Sequence, residues 1–288
     1  MSTHLRNFIA VTRLNKPIGF LLLFWPCAWG ISLSFYFKQN IELLIYYLFL
    51  FFCGSVLMRS AGCIVNDIVD ANIDKKVKRT KSRPIASGSL KKSVALFYVF
   101  ILCILAFLIL IQFNLLTIYL GIFSMIFAFT YPFMKRFTYW PQLFLGFTFN
   151  WGIVMAWASI INDLSYLPML LYLGAIFWTL GYDTIYGVQD ISDDEVIGVK
   201  STAIKFKKNI GLFVGCCYLI SSIAIFLVMS NLKINYGSIF FIFFILNLLY
   251  QIKIFKIEKP STCLKAFKLN NTAGFFIFLT FLFAGAEF

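Results

Sequence analysis

The chain has 288 residues, of which 61% are hydrophobic and 13% charged, and its mean hydropathy is +0.86. Those proportions exclude a water-soluble globular domain and define a polytopic membrane protein. The net charge of +13 does not point to nucleic acid, because the Lys and Arg residues are distributed as membrane topology signals.

Apolar runs of about 20 residues suffice to cross the roughly 30 Å hydrocarbon core as helices. The sequence therefore predicts an all-α polytopic membrane helix bundle of about nine transmembrane helices, near 18–37, 41–60, 93–112, 114–134, 142–162, 164–187, 209–229, 235–253 and 267–286, in one domain over 1–288. Before the first span, Arg13-Leu14-Asn15-Lys16-Pro17-Ile18-Gly19 forms a short cationic approach with Pro17 placed at a helix start. No cleavable apolar segment or Arg/Ser-rich presequence precedes it, so no removable targeting segment is expected. The short connections near 39 and 113 imply antiparallel helix pairs. With a cytoplasmic N-terminus, all of the 25 Lys and Arg residues except Lys38 and Lys233 fall in or beside inner segments. This is the positive-inside pattern, and it puts the C-terminus outside.

The second span ends in Arg59 to Asp74, where an apolar stretch gives way to carboxylates. If this stretch is one helix, Asp67, Asp70 and Asp74 fall at i, i+3 and i+7 and share a face, with Asn66 and Arg59 close to it. Three like charges so close repel one another unless they are solvated or hold a cation, and Mg2+ prefers carboxylate and phosphate oxygens. The following loop, Lys75 to Lys92, contains Arg79-Thr80-Lys81-Ser82-Arg83-Pro84 and Ser87-Gly88-Ser89. Its cations and small hydroxyl residues suit an oxyanion such as diphosphate, and equally suit a positive-inside loop.

Tyr131-Pro132-Phe133-Met134-Lys135-Arg136 closes the fourth span on the same side. A second acidic stretch ends the sixth span, where Asp183, Asp190 and Asp194 are spaced i, i+7 and i+11 and again make one helical face. Of the 12 acidic residues, all but Glu42, Asp163, Glu258 and Glu287 lie in these two stretches. Carboxylates at span ends are costly and seldom retained without use. The pairing suggests a device that holds Mg2+ ions against a diphosphate. The seven cysteines include no CxxC pair and the single histidine is His4, which supports neither a disulfide framework nor zinc.

At these residues the chain resembles the UbiA-type intramembrane prenyltransferases, most closely the 4-hydroxybenzoate polyprenyltransferase branch of ubiquinone synthesis. The resemblance runs nearly the whole length and rests on Arg13 to Gly19, Met58 to Asp74, Lys78 to Pro84, Tyr131 to Arg136, and Tyr182 to Thr202. It implies a nine-helix bundle in the bacterial inner membrane, a Mg2+ cofactor, and transfer of a polyprenyl chain from polyprenyl diphosphate to an aromatic acid such as 4-hydroxybenzoate. By that resemblance Asn66, Asp67, Asp70, Asp74, Asp183, Asp190 and Asp194 hold Mg2+-diphosphate. Arg79, Arg83, Lys135 and Lys200 contact phosphate oxygens, and Tyr131 joins the substrate-binding residues. A carboxylate entering an apolar cavity needs a cation, for which Arg59 and Arg136 are the candidates. Membrane lipid is the remaining partner, and nucleic acid is not one. Two other readings are a family member with a naphthoate, homogentisate or haem acceptor, and a cation-coupled transporter. Transporters usually bind near the bilayer midplane on broken helices, whereas these carboxylates lie at inner helix ends.

Overall fold

The computed structural model describes residues 3–77, 79–232 and 236–285; Lys78, Lys233 and the C-terminal residues 286–288 lie outside them. The described chain is helical throughout: α1 Thr3–Thr12, α2 Ile18–Lys38, α3 Ile41–Val69, α4 Ala71–Asp74, α5 Lys92–Leu110, α6 Leu115–Phe137, α7 Pro141–Asn150, α8 Gly152–Ile161, α9 Tyr166–Gly187, a 3-10 turn Val188–Asp190, α10 Ile191–Ile197, α11 Thr202–Lys205, α12 Ile210–Met229, α13 Gly237–Ile254, α14 Pro260–Lys268 and α15 Asn270–Gly285.

Among the described residues eight segments are long and apolar enough to cross a membrane: α2, α3, α5, α6, α7 with α8, α12, α13, and α14 with α15. The expected sixth span, 164–187, is α9. At 22 residues it is long enough, but Tyr166, Tyr172, Thr179, Tyr182, Asp183 and Thr184 make it more polar than the others. It can be, because it lies at the centre of the bundle, with Trp178, Tyr182 and Ile185 almost wholly buried. A helix covered by protein needs no apolar surface for lipid.

The short connections are built by local hydrogen bonding. Gln39 ends α2 in the left-handed region at φ 50°, and the Asn40 side chain accepts from Leu43 N at 3.0 Å to start α3. Asn114 starts α6 in the same way, accepting from Thr117 N at 2.9 Å, while its Nδ2 donates to Ala158 O at 2.8 Å and ties α6 to α8.

The main core joins α2, α8, α9, α12, α13 and α15 around Trp29 and Trp178, whose ring centroids are 4.9 Å apart. At Gly30, α2 and α8 pack so closely that an added Cβ would stand 2.5 Å from Ile153 O. Buried polar side chains are paired across helices. Trp178 Nε1 donates to Asn270 Oδ1 at 2.8 Å, and both Asn270 Nδ2 and Tyr218 OH donate to Gln251 Oε1, at 2.9 and 2.7 Å. In an apolar bundle such pairs fix register, since no water is present to replace a lost partner. Helices α3, α5 and α6 form the other side, and the space between the two sides is the cavity described next.

Candidate active site

Helix α3 does not continue through the first acidic stretch. It ends at Val69, Asp70 sits at φ −92° and ψ 3°, and α4 is a separate turn. Asn66, Asp67, Asp70, Asn72 and Asp74 explain the break, because short polar side chains compete for the backbone and favour helix ends. The single face expected for Asp67, Asp70 and Asp74 is therefore bent. The second stretch is interrupted likewise: Asp183 lies on α9, Asp190 ends the 3-10 turn and Asp194 lies on α10, so no continuous helix carries all three.

The bends bring the two stretches together. A polar chamber of about 210 Å³ is lined by Asp70, Asp74, Asp183, Asp190 and Asp194, with Arg79, Arg83, Lys135 and Lys200 among them. Through Asn66, Tyr131 and Asp183 its wall is continuous with a cavity of about 1450 Å³. That cavity follows α3 from Asn66 to Leu50, about 24 Å along the helix axis. Its far wall is apolar, with Phe107 and Leu110 of α5 and Ile122 and Met125 of α6.

Most carboxylates at the chamber are held by cations. Arg83 Nη1 donates to Asp74 Oδ2 at 2.8 Å and to Asp67 Oδ1 at 3.1 Å, and Arg13 Nη2 reaches the same Asp67 oxygen at 2.7 Å. Lys135 Nζ is paired with Asp70, and Arg79 grips both oxygens of Asp190 while its Nη1 donates to Tyr186 OH at 3.1 Å. Among the described residues Asp183 and Asp194 have no ion pair of this kind. The Asp194 carboxyl is pushed up to about 6, by burial first and by neighbouring Asp190 second.

The loop from Arg79 to Lys91 is packed onto the fold. Thr80 Oγ1 donates to Asp74 O at 3.1 Å, Leu90 N donates to Pro84 O at 2.9 Å, and Ile85, Ala86 and Leu90 are buried. Gly88, at φ 81°, supplies the turn that folds it back. This packing aims Arg79 and Arg83 at the carboxylates.

Three expected residues stand differently from the rest. Asp67 is buried and lines neither cavity. Arg136 also lines neither; its Nη2 donates to Val69 O at 2.9 Å and lies 3.6 Å from Asp70. Arg59 lines the large cavity, over the ring of Phe149 at 5.3 Å, with Nε buried and without a hydrogen-bond partner. The residue that sequence reasoning passed over is Arg13. A cation before a first span can serve as a topology anchor, yet Arg13 lines the cavity and holds Asp67. Its signal lay in the conspicuous Arg13 to Gly19 segment.

Among the described residues no three Asp, Glu, Cys or His side chains converge into a cation cage. The donors nevertheless suit Mg2+, which is commonly bound by one or two carboxylates plus substrate phosphates. At the chamber, Asp70 Oδ1 is a buried acceptor with no hydrogen-bond partner among the described residues, and a cation there would add to the Arg136 guanidinium 3.6 Å away.

A helical bundle with paired acidic and basic groups at the head of a long apolar cavity defines an intramembrane enzyme for amphiphilic anionic substrates. The UbiA prenyltransferase family model matches residues 23–280, and the chain belongs to that family. It is 42% identical over 275 residues to a 4-hydroxybenzoate octaprenyltransferase of Psychromonas ingrahamii, covering 94% of this chain and 93% of the relative. It is 37% identical over 277 residues to a 4-hydroxybenzoate octaprenyltransferase of Coxiella burnetii, covering 96% and 95%. The fold is similar to that of a UbiA homolog from Archaeoglobus fulgidus bound to GPP and Mg2+, with a TM-score of 0.69, 16% identity, and 97% and 100% of the two chains covered.

Proposed function

We propose that this chain transfers a polyprenyl group from polyprenyl diphosphate to the ring carbon ortho to the hydroxyl of 4-hydroxybenzoate, a membrane step of ubiquinone biosynthesis. The observation that carries this reading is the continuity of the charged chamber with the apolar cavity, which offers one place for a diphosphate and another for an isoprenoid tail. The two relatives named for this reaction support the acceptor, at 37% and 42% identity over nearly their full lengths.

Arg79, Arg83, Lys135 and Lys200 are the groups available to phosphate oxygens, and Asp70, Asp74, Asp183, Asp190 and Asp194 are the oxygen donors for Mg2+. Mg2+ held there would offset the charge of the diphosphate and make it a better leaving group. The cations that hold the carboxylates also stabilise negative charge as it develops on the departing diphosphate. Aromatic and aliphatic side chains of the cavity keep water from the allylic cation, which the ring, activated by its own hydroxyl, attacks; the proton on the attacked ring carbon then passes to an oxygen of the departed diphosphate. Arg59 meets the acceptor's carboxylate. The distribution of Lys and Arg supports a cytoplasmic N-terminus with the chamber on the cytoplasmic side of the inner membrane.

The experiment is transfer of label from a radiolabelled prenyl diphosphate to a panel of aromatic acceptors by the purified protein, with and without EDTA. Labelled 3-polyprenyl-4-hydroxybenzoate, lost in EDTA and restored by Mg2+, is the expected product. Transfer to a naphthoate or homogentisate instead would reassign the acceptor, and undiminished transfer in EDTA would remove the metal.

A further inference from the structure

Along the large cavity α3 presents the row Gly54, Met58, Gly62 and Asn66, four residues apart, with Arg59 on the adjacent row. A glycine inside a helix is less favourable than alanine, and it is usually required by a left-handed φ or by close approach of other atoms. Gly62 lies within α3 and is not among the glycines of positive φ, which are Gly88 and Gly198. No protein atom approaches it either: an added Cβ would meet nothing within 4 Å. The contrast is with Gly152 and Gly274, where the same Cβ would stand 2.3 Å from Cys27 Sγ and 2.6 Å from the Trp25 ring. Those two glycines admit protein. Gly62 lies on the cavity wall, whereas Gly211 and Gly215 of α12, where an added Cβ also meets nothing within 4 Å, line neither cavity.

Its position is informative. Gly62 is three residues from Arg59 and four from Asn66, so it stands between a buried guanidinium nitrogen without a partner and the head of the diphosphate chamber. Arg59 and Asn66 are about 10 Å apart along the helix axis, room for an aromatic acid laid lengthwise. Gly54 has the same open space but lies eight residues outward, about 12 Å along the helix, beside Leu50 and Phe51 in the apolar arm.

We propose that Gly62 is the seat of the acceptor ring and sets which aromatic acids the enzyme takes. The ring lies flat on the bare backbone of α3, its carboxylate toward Arg59 and the carbon ortho to its hydroxyl toward Asn66 and the chamber. This rests on the function proposed above and deepens it. Gly54, by contrast, leaves width for the isoprenoid tail, so the two glycines serve different substrates.

The test uses the full-length protein reconstituted in lipid, with Gly62→Ala, Gly62→Val and Gly54→Val. The apparent KM is measured for each substrate with the other saturating, and thermal unfolding is followed in the same samples. Gly62→Ala is expected to unfold at the parent temperature or above, since its Cβ meets nothing and alanine favours helix. Gly62→Val is expected to raise the KM for 4-hydroxybenzoate by about tenfold or more, the scale of filling a pocket by a carbon or two, with the prenyl diphosphate KM within about twofold. Gly54→Val is expected to do the reverse. Equal weakening of both substrates by Gly62→Val overturns the ring seat, as does an acceptor KM unchanged in both Gly62 variants or an equal acceptor effect from Gly54→Val. In each of those cases the parent's own transfer to 4-hydroxybenzoate leaves the proposed function standing. A parent that prenylates no hydroxybenzoate overturns both.

Discussion

Arg79 holds Asp190 by both carboxylate oxygens, Nε at 2.9 Å and Nη2 at 2.5 Å, across a sequence separation of 111 residues. The pair fastens the loop that follows the first acidic stretch to the end of the second. Arg79 is 43% exposed and Asp190 17%, so solvent screening limits its worth to about 1 kcal/mol or less. Its consequence is placement: it sets the distance between the two halves of the chamber, and it keeps a guanidinium where a diphosphate would arrive.

Replacing either partner should therefore affect catalysis more than folding. Arg79→Gln and Asp190→Asn are each expected to reduce kcat/KM for prenyl diphosphate by at least about tenfold, while thermal stability changes little. Because the residues share one contact, the double variant should lose less than the product of the single losses. A double-mutant cycle on kcat/KM checks this, and strictly multiplicative losses would mean that the pair does not act together.

Asp67 is expected to behave differently from Asp190, although sequence reasoning treated them alike. Asp67 is 1% exposed and is shared by Arg13 and Arg83, of which Arg83 also pairs with Asp74. Asp67→Ala leaves two partly buried guanidiniums facing each other without their shared carboxylate, so stability should fall by as much as about 3 kcal/mol together with activity. Asp190→Ala should abolish turnover while the protein still inserts, purifies and unfolds near the parent temperature. Thermal unfolding of the two variants side by side separates these outcomes.

Asp194 links function to pH. Its carboxyl is pushed up from the ordinary 3.8 to about 6 by burial and by Asp190, so the folded protein holds this proton more tightly than the unfolded chain does. Ionisation of Asp194 consequently lowers stability as the pH rises from about 3.8 to about 6, and the penalty remains above that range. In EDTA, Asp194→Asn should unfold at a higher temperature than the parent at pH 7.5, and the difference should vanish below the ordinary carboxylate value. The same variant should have lower Mg2+-dependent turnover. An equal unfolding difference at all pH values would show that the ionised carboxylate is not the cause.

The membrane class and most of the spans were legible because apolar length and positive-inside charge act locally along the chain. Helix α9 fits that logic less well. Several of its polar residues are satisfied by neighbouring elements, as Tyr172 OH is by Phe147 O at 2.9 Å and Thr179 by Asn150, and such partners are invisible to a sliding window. The acidic residues were legible as a set but not in their geometry. Periodicity assumes a continuous helix, whereas Asp70 and Asp190 stand where helices end. Arg13 was missed because a cation before a first span has an adequate explanation in topology, and its partner Asp67 is 54 residues away. Only the fold brings the two together.

The choice of aromatic acid turns on which arginine is free to meet a carboxylate. Of the two candidates, Arg59 falls inside an expected span and Arg136 in an expected short inner loop, and the fold separates them further. Arg136 is engaged with Val69 O and Asp70 and lines neither cavity. Arg59 lies on the cavity face of α3, one turn outward from Gly62, over the Phe149 ring and with a buried Nε that has no hydrogen-bond partner among the described residues. An unpaired guanidinium nitrogen in an apolar bundle is costly, and an anionic acceptor is the group that would offset the cost. Arg59→Gln should therefore raise the apparent KM for 4-hydroxybenzoate by about tenfold or more, as expected when a buried charge-assisted hydrogen bond is lost, with a much smaller change for prenyl diphosphate. Arg136→Gln should leave the acceptor KM within about twofold. Steady-state measurements of both constants in both variants decide it, and equal weakening of the two substrates by Arg59→Gln would assign that arginine to the diphosphate instead.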